Sequence, residues 1–78
     1  MKRRPSVEAV HNAIHIVLSD TKAYPTSLNY AVNYCRAAIG MGPEALRVQC
    51  LYIVNNLSSW RHEKAQEVRR ILNAYAKP

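Results

Sequence analysis

The sequence predicts an all-α fold, a compact bundle of four short helices, with three helices plus a tail as the runner-up arrangement. Two observations carry this. Apolar residues recur at spacings of three and four along most of the 78-residue chain, the period of an amphipathic helix. Only 2 glycines occur, and no run of β-branched residues alternates as a half-buried strand would. Hydrophobic residues make up 49% of the chain, too many for disorder. The length suits one domain, residues 6–77, behind a flexible basic tail at residues 1–5.

The first helix should start at Ser6, whose hydroxyl can cap free backbone N–H groups, and run to about residue 19. Val7, Val10, Ile14, Val17 and Leu18 share its main face, with Ala9 and Ile16 on the other side. Residues 20–25 read as a loop, because Pro25 biases Tyr24 away from helix. Thr26 or Ser27 can cap a second helix that reaches about Ile39. Leu28, Ala31, Val32, Cys35 and Ile39 form its apolar stripe, while Asn29, Tyr30, Asn33, Tyr34 and Arg36 face away. Gly40 is placed to end that helix in a left-handed conformation.

The third helix is the segment the others should serve. Gly42 can cap it, and Pro43 fits the first helical position, where its missing N–H costs nothing. Glu44 complements the helix dipole. Leu46, Cys50, Ile53, Leu57 and Trp60 continue one stripe, widened by Val54. Val48, Leu51 and Tyr52 make a second apolar patch on roughly the opposite side. A helix that is apolar on two sides is normally sandwiched. The expectation is a central helix, with the Val48, Leu51, Tyr52 patch covered by the bundle or by a second copy in a two-fold dimer. Ser59 could cap a fourth helix from residue 60 or 61 to about 76, although no Gly or Pro forbids one continuous helix. Ala65, Val68, Leu72 and Tyr75 form the last stripe, with Ile71 beside it.

The chemistry-bearing residues are sparse. The net charge is +6, and it collects at the two ends. Lys2, Arg3 and Arg4 open the chain, and Arg69 and Arg70 lie in the last segment. These five are the candidates for weak, non-specific electrostatic contact with nucleic acid. Cys35 and Cys50 fall on apolar stripes and read as buried thiols in a reducing compartment. No apolar run approaches a membrane span and no signal-peptide core follows Met1, so a cytoplasmic, non-membrane protein is expected.

His11 and His15 stand one helical turn apart, but Asn12 occupies the place where a zinc peptidase carries its general base. A third ligand would have to come from His62, Glu8 or Asp20, and the expectation is no metal and no cofactor. No acid pair, activated nucleophile or phosphate loop is evident among five acids and two stripe cysteines, so no enzyme is expected. Residues 28–57 invite a helix-turn-helix reading, yet the second helix offers only Glu44, Arg47, Gln49 and Asn55 among apolar residues.

The best binding candidate is the face of Tyr30, Asn33, Tyr34 and Arg36, since tyrosine and arginine are enriched at interface hot spots. The function expected is that of a small, basic, non-enzymatic adaptor or inhibitor docking on a larger protein or nucleoprotein complex. Phage or mobile-element inhibitors of host defence machines share that build, which is an analogy of build alone. The alternative is a DNA- or RNA-binding transcriptional regulator of helix-turn-helix type.

Overall fold

The computed structural model describes residues 4–77. The chain is a bundle of four helices: α1 (Val7–Ser19), α2 (Ala31–Ala38), α3 (Pro43–Asn55) and α4 (Ala65–Ala76). A single 3-10 turn, Thr21–Ala23, follows α1, and no strand occurs among the described residues. The helices pack as a ring, α1 on α2, α2 on α3, α3 on α4 and α4 back on α1. The core lies inside that ring. Val10, Ile14 and Val17 meet Leu28, Cys35, Leu46, Ile53, Val68 and Leu72, all fully buried.

The ends of α1 and α3 follow from local chemistry. The Ser6 hydroxyl accepts the Ala9 N–H at 3.0 Å, so α1 starts where its cap stands. Gly42 precedes Pro43 in extended conformation and α3 begins there. The Tyr75 hydroxyl donates to the Pro43 carbonyl at 3.3 Å, fixing the start of α3 against the last turn of α4.

Several boundaries differ from the sequence reading. Neither Thr26 nor Ser27 caps α2, which begins only at Ala31. The segment before it is spent on turns: the Leu28 N–H reaches the Ala23 carbonyl at 2.9 Å and the Asn29 N–H the Thr26 carbonyl at 3.2 Å. The Thr26 hydroxyl itself donates back to the Ala23 carbonyl at 3.4 Å, the local competition that keeps Thr out of helices. Leu28 is nonetheless fully buried. Ile39, expected in the stripe, is 46% exposed, because α2 ends at Ala38 and Ala38 takes the buried place. Gly40 is not left-handed, since no described residue has positive φ. Tight bonds end the helix instead, Ile39 N–H to Arg36 carbonyl and Met41 N–H to Ala38 carbonyl.

The largest correction concerns residues 56–64. α3 ends at Asn55, and neither a continuous helix nor a fourth helix capped by Ser59 forms. The Asn56 side chain donates to the Tyr52 carbonyl at 2.8 Å, and the N–H groups of Asn56, Leu57 and Trp60 each reach back three residues. The helical ladder therefore tightens and stops over the weak helix formers Asn55, Asn56, Ser58 and Ser59. Leu57 and Trp60 are still core residues, delivered by a loop. The Trp60 indole Nε1 donates to Asp20 Oδ2 at 2.8 Å, tying this loop to the segment after α1.

Candidate protein-docking face

Expected as a sandwiched central helix, α3 is covered on one side only. Val48, Leu51 and Tyr52 point outward and are 52%, 46% and 49% exposed. The neighbouring helices α2 and α4 meet this side of α3 at its edges, where Tyr34 of α2 lies against Tyr52 and Ala76 of α4 lines a groove with Val48 and Leu51, so the three side chains stay about half exposed.

α2 sets a second group beside this one. Tyr30, immediately before the helix, is 68% exposed and Tyr34 is 37% exposed. Asn33 and Arg36 are also exposed. The rings of Tyr34 and Tyr52 stack, with centroids 5.7 Å apart and planes 24° from parallel. That contact joins the face of α2 to the face of α3, two groups that sequence spacing kept apart. Beneath the pair, the Gln49 side chain is buried and donates to the Tyr34 carbonyl at 2.9 Å. Gln49 is the residue sequence reasoning missed. Its signal was its place between Leu46, Cys50 and Ile53, three buried positions on one side of α3.

Arg36 takes a different role from the tyrosines. Its guanidinium carbon lies 5.7 Å from the centroid of the Tyr24 ring, within cation–π range. The Tyr24 hydroxyl in turn donates to the Leu18 carbonyl. Arg36 thus also braces the connection between α1 and α2.

On its far side the α3 face ends in an open groove of about 270 Å³, lined by Glu44, Arg47, Val48, Leu51 and Ala76. Two guanidinium groups meet at its end. Arg47 Nη2 donates to the Lys77 carbonyl at 3.2 Å and Arg4 Nη2 donates to the same oxygen at 2.6 Å. The Nε of Arg47 is buried without a hydrogen-bond partner.

The remaining candidates are dispersed. Lys2 and Arg3 lie outside the described residues. Arg4, the first described residue, donates from Nη2 to the Lys77 carbonyl. Arg69 is half-buried and donates from Nη1 to the Leu57 carbonyl at 3.3 Å, bracing the loop of residues 56–64, while Arg70 is exposed. His11 is half-buried with Nε2 unpartnered, and His15 is exposed. His62 stacks on Trp60 at 5.1 Å and accepts the Lys64 N–H at Nδ1. Among the described residues no three His, Cys, Asp or Glu side chains gather as a metal site would need. Cys35 and Cys50 are free and buried. Burial pushes the Cys35 thiol up to about 12, with the neighbouring Cys50 adding to the shift, and burial raises Cys50 to about 11. Both are protonated and unreactive at neutral pH. No helix of the described residues is long and apolar enough to cross a membrane.

These elements define a small four-helix domain with one outward apolar face spanning its second and third helices. No protein-family model, curated protein or solved structure matches the chain.

Proposed function

We propose that the chain is a non-enzymatic binding protein that docks on a larger protein or nucleoprotein complex through the outer face of α2 and α3, as an adaptor or an inhibitor. One observation carries the reading: the Tyr34–Tyr52 stack makes Tyr30, Tyr34, Val48, Leu51 and Tyr52 neighbours on a single exposed surface. Their combined exposed area is on the order of 400–500 Å², the size of patch that on a monomer is often functional. Tyrosines supply contact area at low entropic cost, and Asn33 adds an adaptable hydrogen-bonding group at the edge. The buried Gln49 bond holds α2 against α3, so the surface is pre-formed rather than assembled on binding.

The exposed side of α3 carries Val48, Leu51 and Tyr52 where a recognition helix would carry groups for base edges, which weighs against the regulator alternative. The two protonated, buried thiols fit a reducing, cytoplasmic setting and offer no nucleophile. The test is affinity capture from source-cell lysate with and without nuclease. A discrete protein partner that persists after nuclease supports docking. Loss of every partner on nuclease treatment transfers the proposal to nucleic acid.

A further inference from the structure

We infer that the α3–α4 groove takes an amphipathic helix bearing a carboxylate beside its apolar ridge, supplied by another protein. This rests on the docking reading above and names the chemistry of the partner. The floor of the groove is apolar, formed by Val48, Leu51 and Ala76, and its volume of about 270 Å³ admits one or two aliphatic side chains. A ridge of residues at helical spacing fits such a groove, with further apolar positions reaching Tyr52 and Tyr34.

Charge decides which occupant. Arg47 and Arg4 converge on the Lys77 carbonyl, so two guanidinium groups share one neutral acceptor. Arg47 also keeps its Nε donor unfilled and buried. An unfilled donor is costly to leave so. A carboxylate that draws Arg47 off the shared carbonyl can take Nε and Nη together as a fork, while Arg4 keeps Lys77. Glu44, which lines the same groove three residues before Arg47, bars a uniformly acidic ligand and asks for an apolar segment with one or two acids. A second copy is the poorer fit. Each copy carries +6, and of its five acids Asp20 is already held by Trp60.

The experiment selects a displayed library of helical 16-residue peptides, randomised on one face, against the wild-type chain, Leu51→Asp, Arg47→Gln and Tyr34→Ala. Leu51 is half-exposed, so its variant should keep the wild-type melting curve, which is checked for each protein. The expected result is enrichment of sequences with apolar residues at i, i+3 or i+4 and i+7, flanked by Asp or Glu. Their binding should fall about tenfold or more on Leu51→Asp, and the acid preference should vanish on Arg47→Gln. The proposal is overturned if nothing enriches, if the enriched peptides lack acids, or if they bind Leu51→Asp unchanged. Peptides lost on Tyr34→Ala but indifferent to Leu51→Asp and Arg47→Gln would remove the groove and leave the docking face standing. A wild-type dimer by light scattering that Leu51→Asp dissociates would assign the groove to a second copy, and overturn the proposal.

Discussion

Replacing Leu57 with alanine should destabilise the domain sharply, although Leu57 lies in a loop. The side chain is fully buried among the core residues despite falling two residues beyond the end of α3. Truncating a buried leucine costs about 2–5 kcal/mol, the lower part applying where surroundings can collapse. A loop relaxes more readily than a helix, so about 2–3 kcal/mol is expected here. A domain of this length has roughly 4–12 kcal/mol in all, and each kcal/mol moves Tm by about 4–8 °C at this size. The loss in Tm should therefore be about 10–20 °C by circular dichroism. Leu51→Ala is the internal control. Leu51 is a helical residue six positions earlier, but it is half-exposed, and its truncation should cost within about 0.5 kcal/mol. A Leu57→Ala melt within about 3 °C of wild type, or a Leu51→Ala loss as large, would refute the placement of the core.

Other perturbations test other parts of the structure. A double-mutant cycle of Trp60→Phe and Asp20→Ala should return a coupling of about 1–2 kcal/mol, because the indole donates to a carboxylate; additivity would mean the bond contributes nothing. The thiols should create an alkaline limit. The folded chain holds Cys35 and Cys50 protonated up to about 12 and about 11, while the unfolded chain releases those protons near 9.0. Their contribution is therefore whole below pH 9 and is lost as pH rises from 9 through 11 to 12. Cys35→Ala should flatten the fall in Tm over that window, and an unchanged fall would contradict the burial of Cys35. Nucleic acid should bind weakly at low salt and with no strong duplex preference at physiological salt, the affinity falling steeply as salt rises. Deleting residues 1–3 should reduce that slope while leaving the melt intact; nanomolar binding to one duplex at about 150 mM salt would promote the regulator reading.

How much of this was legible in the sequence varied with what each element depends on. Local signals placed α1 and the start of α3, because Ser6 and the Gly42–Pro43 pair act on their own helix ends. The stripe of α4 was also legible, and Ala65, Val68, Leu72 and Tyr75 are all buried. Residues 26–30 and 56–64 were misread for a shared reason. Leu28, Leu57 and Trp60 match helical spacing, but a turn delivers them to the core equally well. Burial was the reliable part of the pattern and backbone conformation was not. For the docking face, the outward groups of α2 and α3 could be read separately. Their union through Tyr34 and Tyr52 depends on how the two helices pair, and that in turn rests on Gln49, a polar residue that periodicity alone does not mark as buried.

The most direct test of the docking claim is site-specific photo-crosslinking in the source cell. A photoreactive phenylalanine analogue is placed at position 52, on the α3 face, and separately at position 67, an exposed position on the side of α4 away from Ala76. Docking through the α2–α3 face predicts one discrete adduct with another protein from position 52, resistant to nuclease, and none from position 67. Adducts of equal yield from both positions, adducts to nucleic acid alone, or no adduct from position 52 would contradict it.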